Sequence, residues 1–230
     1  MDPWSIGLIA VLVVGVAVIL YGALADRAKT KRAAQEVLAP PKRDIPQFHP
    51  DSPAPSYLSE LQARRVPETV RPVDLTAAER DQLARQVKEP GTVRIGTGFA
   101  SRDFVTDPGS SQAILDGPRV LVCAERIEST RELLGLLEKL ILSRTPLVVV
   151  APSMSDEVRS TLEVNQIQGR MRLLAVNPSE PDLQRIAQTT GADPRTREDL
   201  QAGYVWPEHL GSCARWVSNA KASFVIGPSR

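Results

Sequence analysis

Residues Arg119–Val176 read RVLVCAERIESTRELLGLLEKLILSRTPLVVVAPSMSDEVRSTLEVNQIQGRMRLLAV. Three short apolar runs, Arg119–Cys123, Leu147–Val150 and Met171–Val176, alternate with two segments of helical period, Thr130–Leu142 and Asp156–Gln168. Valine-rich runs of this length, bounded by turn residues, fit strands buried on both faces. Each helix has a start signal. Ser129 with Glu132 three residues on fits a capping box, and Ser155 can cap the second helix, with Asp156 and Glu157 at its positive end. Gly169 stands where the second helix needs a left-handed residue to stop. The pattern predicts an α/β domain built on a strand-helix-strand-helix-strand unit, with a largely parallel sheet.

The first helix carries more apolar residues than one buried face needs. Leu133, Leu136 and Leu140 form one stripe, and Leu134, Leu137 and Ile141 a second. One stripe packs on the sheet. The second is either buried as well or lines a groove for a partner's apolar segment.

The same stretch resembles the apical domain of the group I chaperonins (GroEL type). There K-I-S-N-I-R-E-M-L-P-V-L-E is followed by K-P-L-L-I-I-A and by a helix ending A-T-L-V-V-N-T-M-R-G. Here RIESTRELLGLLE, TPLVVVA and RSTLEVNQIQG follow at the same spacing without a gap, and LGSCARWVSNAKASFVI is similar to the segment L-G-Q-A-K-R-V-V-I near that domain's end. The resemblance covers roughly residues 92–226. It implies a swivelling β/β/α fold of the apical type, with two helices forming a groove that holds client chains. Leu134 and Leu137 stand at client-binding positions of the first helix, with Ile141 continuing their stripe, and Val164 at one of the second. Arg159 and Glu163 stand where the family has aliphatic residues; four apart, they share a face and can pair. Charges there cost desolvation when an apolar segment docks, which points to a narrower partner with apolar and polar contacts. The family's ATPase occupies a separate domain whose flanking segments are not among these 230 residues. No ATP binding by residues 74–230 is therefore expected.

Upstream, residues 6–25 contain no charge, and about 20 residues at about 1.5 Å each match the hydrocarbon core of a bilayer. Asp2 precedes this run, while Arg27, Lys29, Lys31 and Arg32 follow it. The basic side stays inside, so the expectation is one transmembrane helix at the cell membrane, residues 1–5 outside and the bulk of the chain cytoplasmic. The small residues Ala23–Ala25 keep a cleaved signal peptide open as the alternative. Residues 26–73 read as a basic juxtamembrane segment and a proline-rich spacer, with a short helical turn within Tyr57–Arg65. Residues 74–90 read as a short helix capped by Thr76 and Glu79, and residues 91–230 as the apical-like domain.

The rest of the sequence chiefly excludes. Lysine plus arginine (28) nearly balance aspartate plus glutamate (27), so nothing favours a nucleic-acid partner. Cys123 and Cys213 have apolar neighbours and read as buried thiols; His49 and His209 have no ligand-like companions, so neither a metal site nor a cofactor is expected. Gly96 and Gly98 form G-x-G without a third glycine or a following helix start, which reads as a tight turn or bulge. Trp206, Leu210 and Trp216 read as core or edge packing, and Leu183, Ile186 and Ala187 as one helix face closed by Gly191. Three function classes remain. The first is a membrane-anchored, ATP-independent protein- or peptide-binding module, chaperone-like or adaptor, using a groove of Leu134, Leu137, Ile141, Arg159, Glu163 and Val164. The second is a structural or assembly protein with the groove closed. The third is an enzyme, for which Ser153, Asp156 and Asn177 are the polar candidates at the strand ends and no nucleophile–base pair is visible.

Overall fold

The computed structural model describes residues 3–38, 59–70 and 75–228. The chain divides into two compact units, Met1–Ser56 and Tyr57–Arg230. The described residues of the first form the helix α1 (Pro3–Leu38), whose side chains are described chiefly from Leu12 to Lys29. Its large apolar residues there, Val14, Ile19 and Leu24 among them, are exposed. Among the described residues no helix is long and apolar enough to cross a membrane. The anchor expected over residues 6–25 is thus not supported here; the side chains of residues 6–11 lie outside the described set, and the window from Leu12 runs into Asp26, Arg27 and Lys29. The proline-rich residues 39–58 and 71–74 also lie outside it.

The second unit is a mixed α/β domain. Its strands are β1 (Val93–Ile95), β2 (Ala113–Asp116), β3 (Arg119–Val122), β4 (Leu147–Val150), β5 (Leu173–Val176), β6 (Gly211–Ser218) and β7 (Ser223–Pro228). They make one sheet in the order β1-β7-β6-β3-β4-β5, with β2 also paired to β6. β3, β4 and β5 run parallel, with Val120 opposite Val148 and Val148 opposite Leu174. All four residues of β4 and of β5 are buried, as uninterrupted apolar runs require. The sheet is not largely parallel, however: β1–β7, β2–β6, β3–β6 and β6–β7 pair antiparallel. The reason is the β6–β7 hairpin, whose turn is tied by Asn219: its side-chain oxygen accepts from the N–H groups of Lys221 and Ala222.

Helices α2 (Glu60–Ala63), α3 (Ala77–Gln86), α4 (Arg131–Ser143), α5 (Asp156–Ile167), α6 (Glu180–Thr190) and α7 (Arg197–Gln201) surround the sheet. The Thr76–Glu79 capping box and the Ser155 cap form as the sequence implied, and Gly169 and Gly191 adopt positive φ at the ends of α5 and α6. The start of α4 differs. Ser129 Oγ accepts from the N–H of Arg131, and the Glu132 carboxylate accepts from the N–H of Glu128, so no reciprocal box forms. Glu132 is drawn away because Arg197 and Gln201 of α7 also donate to it.

Trp216 is fully buried, and its indole N–H donates to Ser218, which bonds Ser223, whose hydroxyl meets the carbonyl of Thr97. Every polar group of this buried chain has a partner, which removes the desolvation cost of placing it there. A Cβ on Gly98 would come within 2.0 Å of the Asn219 carbonyl oxygen, so glycine is required by close backbone approach and not by a phosphate. α3 is fastened to the body by Arg80, which donates twice to the fully buried Asp107 carboxylate. The Arg80 guanidinium, helped by Ser110 and opposed by burial, holds that carboxyl down at about 2.

Candidate functional site

The sequence singled out α4 and α5, and the two helices do meet. Thr130, just before α4, places its hydroxyl 3.3 Å from that of Thr161, and its N–H points to Glu157 at 3.4 Å. Leu134 follows Thr130 by one turn and Ile141 follows Leu134 by two, so both lie on the same side of α4 as that contact. The opposite flank of α4 is engaged elsewhere: Glu132 bonds α7, and the Lys139 ammonium lies 4.9 Å from the Trp206 ring centroid.

Exposure along α4 divides the expected groove residues. Leu134 is 47% exposed and Ile141 39%, while Leu137 is only 6% exposed and belongs to the core. Leu137 therefore does not line a groove. The physical reason is the width of a buried helical stripe: Leu133, Leu136, Leu137 and Leu140 stand at i, i+3, i+4 and i+7, and all four face the sheet. Leu134 and Ile141 sit beside that stripe on the α5 side. They are two turns apart, about 10 Å along the axis. Leu142, which sequence reasoning did not single out as a site residue, is 87% exposed at the end of the same helix. Val164, on α5, is half-buried.

The charged pair on α5 lies elsewhere. Glu163 is buried, and its partner at 3.2 Å is Arg64, with Arg159 at 4.0 Å. Arg159 itself pairs with Asp156 at 2.7 Å. Arg64 also reaches Asp103 in the 3-10 turn Arg102–Phe104 and donates to Ser160. Arg159 and Glu163 thus do not face Leu134; Glu163 is covered by a segment read as spacer. That segment, residues 59–70, lies along α5. The Gln168 side-chain N–H group donates to the carbonyls of Gln62, Ala63 and Arg65, and a Cβ on Gly169 would meet Val70 at 2.6 Å. No local sequence signal announces this contact, because Arg64 and Glu163 are 99 residues apart.

The remaining polar candidates do not converge. Asp156 is solvent-exposed and salt-bridged to Arg159, the Ser153 carbonyl accepts from Ile127, and the Asn177 Oδ1 atom is buried without a partner. Cys123 and Cys213 are buried free thiols; burial, reinforced at Cys123 by the charge of Glu132, pushes both up to about 12. Among the described residues no cluster of histidine, cysteine, aspartate and glutamate could hold a metal ion. Trp216 and Leu210 are core, and Trp206, 48% exposed with the Lys139 ammonium over its ring, lies at an edge.

No protein-family model matches the chain. Among solved structures it is similar to the open-state monomer of a group II chaperonin from Methanococcoides burtonii, with a TM-score of 0.42 and 15% identity over 60% of this chain and 31% of that one. It is also similar to the chaperonin gp146 from the bacteriophage EL 2 (Pseudomonas aeruginosa), with a TM-score of 0.48 and 16% identity over 60% of this chain and 29% of that one. The chain spans less than a third of the length of either, and these two structures do not single out the group I chaperonins.

Proposed function

We propose that this protein is an ATP-independent protein- or peptide-binding module, chaperone-like or adaptor, whose contact surface is the edge of α4 that faces α5. The observation that carries this reading is the exposure of Leu134 and Ile141 on a helix whose other leucines, apart from the terminal Leu142, are buried. An aliphatic pair two turns apart suits the apolar side of a docked segment. Burying one such leucine contributes roughly 1.5–3 kcal/mol, about tenfold or more in affinity. The proposed module works without catalysis and without a cofactor, and it has no nucleic-acid partner. The resemblance to a chaperonin apical domain, the part of that family that holds clients, is consistent with this role.

The proposal includes a tether at the cell membrane. Its support is the uncharged run of residues 6–25 and the exposed apolar side chains of α1, which need a cover in water; the basic residues after Ala25 favour a cytoplasmic domain.

Site-specific photocrosslinking in cells tests the contact surface. A photoreactive residue at position 134 is expected to capture a discrete set of chains, whereas one at position 139, exposed on the opposite flank of the same helix, is not. Equal capture at both positions, or none at 134, would overturn the assignment and leave the assembly-protein reading, in which the edge is closed by other contacts.

A further inference from the structure

We infer that residues 59–70 are a self-ligand: the face of α5 that carries Ser160, Glu163 and Gln168 is a peptide-binding site that reads an arginine, and this chain occupies it in cis. The site has two halves. The first recognises charge. The Glu163 side chain is only 6% exposed, yet it is ionisable and sits on a helix with one weak neighbour, Arg159 at 4.0 Å. Arg64 completes it: one terminal nitrogen donates to Glu163 at 3.2 Å and to Asp103 at 3.4 Å, and the other to Ser160 at 2.9 Å. A planar fork holds two nitrogens at a fixed separation, one for the two carboxylates and one for the hydroxyl; the single nitrogen of a lysine cannot occupy both places. The second half recognises backbone. The Gln168 side-chain amide nitrogen lies within donating distance of three carbonyls at the end of the α2 turn, Gln62 at 3.2 Å, Ala63 at 2.8 Å and Arg65 at 3.1 Å. Contacts to main-chain oxygens hold any segment of that shape, so the specificity resides in the arginine.

Beyond Arg64 the segment borders a cleft of about 600 Å³ whose lining includes Val66, Val70, Ile167 and Met171. Val70 meets the surface at Gly169, where a side chain would clash with it. The recognised pattern is therefore a helical turn that ends in an arginine, with an apolar residue six positions on, Arg64 and Val70 in this chain. A covalently attached segment of this kind acts at an effective concentration on the order of millimolar, so it masks the site from all but strong competitors. The face opens when another segment of the same chemistry displaces it. This surface is separate from the Leu134–Ile141 edge, and the inference does not depend on that edge.

The test uses the full chain in detergent micelles and a labelled, end-capped peptide of residues 57–70 read by fluorescence anisotropy. The unmodified chain is expected to bind the peptide weakly, and Arg64→Ala to bind it at least tenfold more tightly, because the cis copy has lost its charged contact while the peptide keeps its own. Adding Glu163→Gln to Arg64→Ala is expected to return binding to the weak level, as is an alanine at the Arg64 position of the peptide. Should Glu163→Gln fail to fold, Gln168→Ala in the same background examines the other half of the site with the same expected loss. Arg64→Ala binding no more tightly than the unmodified chain overturns the inference, as does undiminished binding after the Glu163 or Gln168 change. Leu134→Glu is expected to leave peptide binding unchanged; a loss there would move the peptide to the α4–α5 edge and also overturn the site described here.

Discussion

Leu134 and Leu137 are three residues apart on α4, and the structure gives them opposite roles that one substitution separates. Leu137→Glu removes a buried leucine, which costs roughly 1.5–3 kcal/mol in lost burial. It also puts a carboxylate among Leu133, Leu136 and Leu140, where it must either stay charged without a partner or take up a proton; either costs a further amount on the order of 2 kcal/mol. The total is about 4 kcal/mol or more. Leu134→Glu changes a 47% exposed position and introduces a good helix former, so its cost stays within about 0.5 kcal/mol. With a urea slope of about 2 kcal/mol per molar, these figures become midpoint shifts of about 2 M for Leu137→Glu and about 0.3 M for Leu134→Glu. The fluorescence of Trp216, buried in the sheet core, reports the transition. Two collapsed midpoints would mean that the α4 edge is packed, and the proposed contact surface would fall. Two unchanged midpoints would mean that Leu137 is not core, and the rotation of α4 described above would be wrong.

Other expectations follow from groups outside α4. The Asp107 carboxyl is depressed to about 2 in the folded state, so its contribution is full above the ordinary unfolded value of about 4 and is lost as pH falls through about 2. Asp107→Asn should lower the urea midpoint at neutral pH and flatten the decline between about pH 4 and about pH 2; superimposable acid limbs for the two chains would exclude Asp107 as the group responsible. Cys123 and Cys213, pushed up to about 12 by burial, should resist a thiol-reactive disulfide reagent at pH 8 in the folded chain and react fully in denaturant; rapid native labelling of either would contradict its burial. Calorimetry of the full chain with ATP and Mg²⁺ should give no saturable heat, and stoichiometric micromolar binding would end the nucleotide-independent reading.

The sequence alone determined the centre of the domain. Uninterrupted runs such as Leu147–Val150 must be buried on both faces, and helices of period 3.6 between them leave parallel pairing as the economical solution, so β3, α4, β4, α5 and β5 were legible from local pattern. Short-range chemistry fixed several boundaries in the same way: Ser155 and Thr76 find their own backbone donors within three residues, and Gly169 and Gly191 take the left-handed conformation at no steric cost. The sequence also showed that α4 carries surplus leucine, but not which leucines are surplus. That depends on the rotation of the helix over the sheet, set by packing across the whole face, and only the tertiary structure placed Leu137 inward and left Leu134 and Ile141 at the edge. The same limit applies to pairings between distant residues. Glu163 looked like half of a local pair with Arg159, because four residues apart on a helix is a neighbour relation readable from spacing. Its stronger partner is Arg64, 99 residues away, and that choice is made by the path of residues 59–70 across α5. Likewise, β6 and β7 close the sheet antiparallel through a hairpin whose partners β1, β2 and β3 lie about a hundred residues earlier in the chain. Periodicity decides what a segment is and which of its faces is apolar; what that face meets is a property of the folded chain, because contacts across large sequence separation form only when the whole core forms.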